Sequence, residues 1–377
     1  MRRLGPGSDL KVSSSGTEGD PNRRSLTLVG SRFDLDEATL AALLADEPRY
    51  RVRQLRRGLL EGREPSDLTD LPKALRGRLA EAPELSPGLH LVHESASDDG
   101  ETVKWLWELD PPGRERVETV LMHYPERTTV CVSSQAGCAM GCTFCATGQL
   151  GFERHLTAGE IVEQVVRARA TAAASGRRLG NVVFMGMGEP LANLDRVWTA
   201  VHVLHDDLGI SARHLTISTV GVVPGIHRLA AADLPVNLAV SLHAATDEVR
   251  NELVPLGRRY PLAVLVEACA GYVEATGRRL SLEWALIAGT NDTPRQAEAL
   301  AGIARTLRAH VNLIPLNPTP GYPATGSSPA AIRAFCDRLV QLGVNATVRR
   351  NRGTDIDAAC GQLRASMAGS PVRLERR

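Results

Sequence analysis

An α/β architecture is what this sequence predicts: a partial (β/α)6 barrel of the TIM type, with a small N-terminal helical domain and a β extension ahead of it. Three observations carry that expectation. From about residue 128 onward, β-branched apolar runs alternate with amphipathic helical stretches, the rhythm of a parallel sheet with helices outside. Residues 36–82 place leucines at helical spacing. Between these, residues 88–124 alternate nearly at period two, as short antiparallel strands do.

The chain has 377 residues, enough for one large α/β domain and a small one. Its net charge of +1 gives no global field that would draw nucleic acid, so such a partner must be held by a local patch. Aromatic residues at 4% argue against a surface that stacks many bases. We find no signal peptide and no apolar run long enough to span a bilayer. A cytoplasmic protein without a membrane partner is therefore expected, with a monomer as the default. In that compartment thiols stay reduced, and the seven cysteines mean metal or catalysis rather than disulfide staples.

In chain order, residues 1–28 are Gly, Ser, Asp, Arg and Pro with few apolar groups, and are expected to be a disordered tail. Residues 29–87 read as the helical domain. Its apolar faces are Leu40, Leu43 and Leu44, then Val52, Leu55, Leu59 and Leu60, then Leu71, Leu75 and Leu79, punctuated by Pro48, Pro65 and Pro72. Here Arg49, Arg51, Arg53, Arg56, Arg57, Arg63, Lys73, Arg76 and Arg78 outnumber Glu61, Glu64, Asp67 and Asp70. Two readings stand: a solvated helix face with snorkelling arginine stems, or a phosphate-binding patch for folded RNA. Residues 88–127 form a linker and β extension, with turns at Asp98-Asp-Gly and Pro111-Pro-Gly. Residues 128–353 form the barrel. Candidate strands are 128–134, 181–187, 214–219, 236–242, 279–287, 310–316 and 345–349; helices include 157–174, 261–275, 294–308 and 329–342. Residues 354–377 are a C-terminal loop and tail.

In this architecture chemistry collects on the loops that follow the strand C-termini. Each strand end here carries an unusual group. After the first come Cys138, Cys142 and Cys145, spaced C-x3-C-x2-C. Three thiols on a short loop converge on one point only if it is a metal or cluster. Structural zinc wants four ligands, and no fourth is suitably spaced; three thiolates on a four-iron cluster leave one iron open for a substrate. The next ends carry Gly186-Met-Gly188-Glu189-Pro190, Ser218-Thr-Val-Gly, Ser241-Leu242-His243 and Leu316-Asn317-Pro318. Glycines allow close backbone approach, and Glu189 suits a cationic amine. Singly, His243 reads as a structural imidazole, Asn317 as a turn residue and Ser218 as polar filler. Together the five ends fit a polar ligand such as S-adenosylmethionine (SAM). Cys360, in a loop of small residues, reads on its own as a buried small hydrophobe, as do Cys269 and Cys336 on helix faces.

The cysteine spacing is similar to the radical SAM signature. With it, Cys131-Val-Ser-Ser-Gln-Ala-Gly-Cys138, Met185-Gly-Met-Gly-Glu189-Pro, Ser241-Leu-His243, Asn312-Leu-Ile-Pro-Leu-Asn317-Pro and Asp357-Ala-Ala-Cys360-Gly-Gln-Leu resemble the RlmN/Cfr family of dual-specificity radical SAM RNA methyltransferases, RlmN more closely than Cfr. The resemblance runs from about residue 36 to about 364. It implies an RNA-binding role for the helical domain and a radical SAM core for the barrel. It also implies a 4Fe-4S cluster on Cys138, Cys142 and Cys145 with exchangeable SAM, and SAM contacts from Gly188, Glu189, Ser218, Ser241, Leu242, His243 and Asn317. The implied reaction is methylation of carbon 2 of an adenosine in 23S rRNA at the peptidyl transferase centre, with tRNA, at the anticodon loop, as a further substrate. The Cfr alternative is carbon 8.

Carbon 2 of adenine bears no acidic proton, so polar methyl transfer does not reach it and the cofactor must supply radical chemistry. The resemblance implies two SAM molecules per turnover. One methylates Cys360; the other yields the radical that activates that methyl for addition to the base. The protein is then joined to RNA until Cys131 attacks the sulfur, leaving a transient Cys131–Cys360 disulfide. Glu118 matches the base that removes the carbon 2 proton. Cys131 is expected to have a lowered pKa. A flavodoxin-type donor is the implied reductant, and Arg349, Arg350 and Arg352 are expected on the rim, against the RNA.

Overall fold

The computed structural model describes residues 30–110, 115–319 and 321–365. The tail over 1–28, the Pro111-Pro-Gly turn and the end of the C-terminal segment lie outside the described residues.

Three helices come first: α1 (Glu37–Leu43), α2 (Tyr50–Leu60) and α3 (Lys73–Ala80). Asp36 starts α1, its carboxylate accepting from the Thr39 amide at 2.7 Å, which satisfies one of the donors a helix start leaves open. Leu40, Leu44, Val52, Leu55, Leu59, Leu71, Leu75 and Leu79 meet in a core of their own. Leu60 leaves this group and packs in the main core. Adjacent helical positions diverge by about 100°, so Leu59 and Leu60 serve different neighbours. Arg56 pairs with Asp207 of the barrel, Arg57 and Arg63 with Glu61 and Asp70, and Arg78 with Asp46. Arg49, Arg51, Arg53, Lys73 and Arg76 have no carboxylate partner among the described residues.

Strands β1 (Leu89–Ala96), β2 (Thr102–Leu109) and β3 (Arg116–His123) form an antiparallel meander, and β3 pairs antiparallel with β4 (Thr128–Cys131). Gly100, at φ 68° in the Asp98-Asp-Gly turn, takes a left-handed conformation that side chains disfavour. A small side sheet follows, β5 (Gln135–Gly137) with β6 (Phe152–His155), holding the short α4 (Ala146–Leu150) between its strands. Then come α5 (Ala158–Ala174), β7 (Leu179–Phe184), α6 (Leu194–His202), β8 (Leu215–Thr219), α7 (Val223–Ala230) and β9 (Asn237–Ser241). The chain continues through α8 (Asp247–Leu253), α9 (Leu262–Thr276), β10 (Ser281–Leu286), α10 (Pro294–Thr306), β11 (His310–Pro315), α11 (Pro329–Gln341) and β12 (Ala346–Val348).

One ten-stranded sheet runs β1-β2-β3-β4-β7-β8-β9-β10-β11-β12. From β4 onward all neighbours are parallel. That gives six β/α units and a last short strand, with β1 and β12 left as unjoined edges. The helical domain is tied to the barrel at the start of α5. Asp34 accepts from the Gly159 amide at 2.6 Å and from the Thr157 hydroxyl at 2.6 Å. Ser31 donates to Glu163 at 2.7 Å. Among the described residues no helix is long and apolar enough to cross a membrane.

Candidate active site

The parallel strands deliver their C-terminal loops to one end of the sheet, around a solvent-open cavity of roughly 990 Å³. Cys138, Cys142, Cys145, Gly188, Glu189, Ser218, Ser241, His243, Asn317 and Cys360 all line it. Leu242 does not. Successive residues at a strand end point to opposite sides, and Leu242 is fully buried in the core while its amide donates to the Glu283 carbonyl. Phe144, Thr147, Glu283 and Arg349 also line the cavity, although no motif in the chain singles out Phe144, Thr147 or Glu283.

The cysteine loop folds back on itself at Gly148, where a Cβ would lie 2.9 Å from the Cys142 carbonyl oxygen. Burial pushes the Cys138 thiol up to about 12 and the Cys142 thiol well above its usual range, with the neighbouring thiols adding to both; burial also raises Cys145. Three thiols in an apolar pocket stay protonated until a cation compensates them. No set of three ligating side chains is already drawn together as an ion site among the described residues. Three soft sulfur donors on one short loop match an iron–sulfur cluster with an open corner better than zinc, which favours four ligands of its own.

Glu189 is 2% exposed and has no cationic partner among the described residues. Burial pushes its carboxyl from 4.5 up to about 7, although the Val220 amide (2.9 Å), the Leu191 amide (3.0 Å) and Thr219 pull it back in part. Such a carboxyl calls for a cation, as an amino acid ammonium group would supply. The sign of the linkage follows. Between pH 4.5 and 7 the folded state holds a proton that the unfolded state has lost, so this group's contribution to stability falls as pH rises. The full effect is about 3 kcal/mol. His243 acts oppositely, because burial, then Arg250, holds it down to about 3 and its contribution is lost on acidification below 6.5. The difference between wild type and Glu189→Gln isolates Glu189. Chemical denaturation is expected to show wild type gaining about 2–3 kcal/mol on the variant between pH 7.5 and pH 5. Parallel pH profiles would refute the assignment.

The glycines at this strand end also meet a packing requirement. A Cβ on Gly188, at φ 97°, would meet the Gln135 side chain at 2.5 Å, and one on Gly186 would meet the Val132 carbonyl at 2.7 Å. Both are small because the β4–β5 segment packs against them, and Gln135 in turn accepts from the Glu189 amide at 2.8 Å. His243 has φ 58°, an uncommon conformation for a side-chain residue. Asn291, fully buried, holds it there by donating to the His243 carbonyl at 2.7 Å and the Ala285 carbonyl at 2.6 Å. Nδ1 of the neutral ring accepts from the Ala285 amide at 3.0 Å, which leaves the proton on Nε2. Phe144 stands edge-on to the ring, 4.7 Å between centroids. Ser218 donates to the Phe184 carbonyl at 2.8 Å. Nothing in Gly-Thr-Asn291-Asp advertises Asn291, since its partner lies 48 residues away.

Cys360 lines this cavity and a second, adjoining one, which Cys131 and Arg349 also line. Its loop is docked on several sides. Asn317 donates to the Cys360 carbonyl at 3.0 Å and accepts from Asn351 at 2.6 Å. The Ala146 amide donates to the Gly361 carbonyl at 2.8 Å, and the Thr147 hydroxyl to the Leu363 carbonyl at 2.6 Å. All seven cysteines are free thiols, Cys131 and Cys360 included.

Three further expectations need correction. Cys131 is not a low-pKa thiol in this state: burial first, then Cys360, pushes it up to about 12. Arg349 is not a rim residue. Its guanidinium lies 3.6 Å from Glu283 inside the cavity wall, and its positive charge is reinforced first by the neighbouring Cys360 sulfur. Glu118 lines neither cavity. It is fully buried behind the Cys360 loop, with Oε1 3.0 Å from Lys104 Nζ and Oε2 accepting from the Arg364 and Ala365 amides.

A sequence profile of the Radical SAM superfamily matches residues 132–300. The chain is 49% identical over 383 residues to a probable dual-specificity RNA methyltransferase RlmN of Frankia alni, covering 96% of this chain and 90% of that one. It is 55% identical to a dual-specificity RNA methyltransferase RlmN 1 of Myxococcus xanthus, covering 73% and 77%. A solved radical SAM methyltransferase from Sphaerobacter thermophilus superimposes with a TM-score of 0.84 at 49% identity, over 89% of this chain and 99% of that one. With the fold, the cysteine loop and these relatives in agreement, the chain belongs to the RlmN family of dual-specificity radical SAM RNA methyltransferases.

Proposed function

We propose that the chain methylates carbon 2 of an adenosine in 23S rRNA at the peptidyl transferase centre, and an adenosine in the tRNA anticodon loop as its second substrate. The observation that carries this reading is the position of Cys360, on the wall shared by the cavity of the three cysteines and the cavity of Cys131. Cys138, Cys142 and Cys145 would hold the 4Fe-4S cluster. Glu189 would meet the SAM ammonium group, with Gly188, Ser218, Ser241, His243 and Asn317 around the rest of the molecule. When bound, cluster and SAM supply one-electron chemistry, with the electron from a flavodoxin-type donor.

The chain's own residues do the remainder. The Cys360 thiol accepts a methyl group from one SAM, and a second SAM is spent in activating it. Cys360 carries the one-carbon unit to the base and is joined to the RNA. Glu118 takes the carbon 2 proton. The Cys131 thiolate attacks the Cys360 sulfur, and the bond from that sulfur to the one-carbon unit breaks. The carbon leaves with the electron pair and takes up a proton as the methyl group of the base, and the two sulfurs are left bonded, to be reduced afterwards. Lifting the target base from its stack costs a few kcal/mol, which contacts from the helical domain, taken as an RNA-binding module, would offset. Shape and phosphate contacts suit RNA. The protein is taken to act as a cytoplasmic monomer.

The test is anaerobic reconstitution with reductant, SAM and 23S rRNA lacking the modification, followed by mass mapping. Methylation at adenosine carbon 2 is expected. Methylation at carbon 8 would replace this reading with the Cfr one. SAM consumption without RNA methylation would end both.

A further inference from the structure

The loop that bears Cys360 is held from behind by a buried ion pair. Lys104 on β2 pairs with Val120 and Glu118 on β3 pairs with Leu106, so the two side chains are diagonal neighbours, two residues out of register on one face of the antiparallel meander. Their side chains are 5% and 0% exposed, and Nζ lies 3.0 Å from Oε1. Both then reach the loop. Lys104 Nζ donates to the Asp357 carbonyl at 3.2 Å. Glu118 Oε2 accepts from the Arg364 amide at 2.8 Å and the Ala365 amide at 3.3 Å. Arg364 closes the loop on itself by donating to Asp357 at 2.9 Å. Cys360 therefore sits on a span clamped at both ends by one pair of side chains.

A buried charge pair is a poor way to stabilise a fold, because desolvation offsets much of the attraction. Removing either partner is nevertheless severe, because it strands the other. The pair acts on the loop backbone, whose amides and carbonyl any sequence would present.

We propose that Lys104 is a positioning residue, and that the Lys104–Glu118 pair clamps the Cys360 loop so that Glu118 is withheld from the substrate while the loop is docked. Both Glu118 oxygens are engaged in the docked state, so the carboxylate is released to take a proton only when residues 364 and 365 move off it. Movement of the loop and release of the base are then one event. Proton removal is confined to the stage at which Cys360 has left its docked position. This inference rests on the proposed role of Glu118 as the base, but the clamp itself does not.

The test uses reconstituted full-length protein with Lys104→Gln and, because that change strands Glu118, also Arg364→Ala, which cuts only the Arg364–Asp357 tie. Amide hydrogen exchange is read at residues 364 and 365 without RNA. In turnover, the ratio of 5′-deoxyadenosine to methylated RNA is read together with KM for RNA. The expected result is exchange at these amides about tenfold faster in Lys104→Gln and measurably faster in Arg364→Ala. The product ratio should rise severalfold at unchanged KM. A merely structural role would lower both products together and leave the ratio alone. Unchanged exchange at residues 364 and 365 in both variants overturns the clamp. Faster exchange with an unchanged ratio overturns the coupling. If wild-type protein methylates no RNA, the proposed function fails, and the exchange result still decides the clamp.

Discussion

Cys360→Ala is expected to reduce RNA methylation to the blank while leaving the iron content and the brown colour of the reconstituted protein unchanged. The cysteines assigned to the cluster lie on the 138–145 loop, and Cys360 reaches the shared cavity from a separate segment. Alanine at 360 removes the one thiol that, among the described residues, lines both cavities, without disturbing the core, since Cys360 is exposed. The docked backbone should persist, because Asn317, Ala146 and Thr147 bond to carbonyls rather than to the thiol. Iron analysis and radiolabel transfer from SAM to RNA are the measurements. Residual methylation above the blank would mean that the one-carbon unit does not travel through Cys360.

Cys131→Ser is expected to act at the opposite end of the reaction. Without a second thiol to attack the Cys360 sulfur and free the carbon from it, the protein should accumulate covalently joined to RNA, visible as a shifted band on a denaturing gel that RNase collapses. A hydroxyl cannot substitute, since it is neither acidic nor soft enough to attack sulfur at neutral pH. The electrostatics suggest when Cys131 becomes active. Burial raises its pKa most, the Cys360 sulfur raises it further, and Arg349 opposes both. Once Cys360 carries carbon it can no longer be an anion, so that repulsion vanishes and the attraction of Arg349 remains. Absence of any adduct in Cys131→Ser, with methylation intact, would remove Cys131 from the pathway.

What could be read from the chain alone depended on how local each feature is. The three cysteines lie within eight residues, and their meeting at one cavity could be anticipated without any fold. The strand ends were legible as well, because β-branched runs followed by Gly, Ser, His or Asn repeat along the barrel. The side sheet β5–β6 was not, since strands of three and four residues carry too little period to register. Gly188 was noticed for its absent Cβ, but the sequence does not show that Gln135 packs where that Cβ would be. Glu118 illustrates the limit most clearly. Its loop partners are 246 and 247 residues away, and no pattern on β3 distinguishes a carboxylate behind the loop from one in the cavity. Arg349 was misplaced for a similar reason, because its partner Glu283 is on another strand.

The unjoined edges β1 and β12 have a consequence for how a polymer substrate is served. A barrel laced shut by backbone ladders has a rigid wall and admits only what fits through its mouth. In this chain the segment 353–365 spans from the β2–β3 side, through Lys104 and Glu118, to the turn after β11, through Asn317. The gap in the staves is thus filled by a panel fastened with a few bolts. A panel can swing where a stave cannot, and the sulfur mounted on it can travel outward to meet a nucleotide still attached to its polymer.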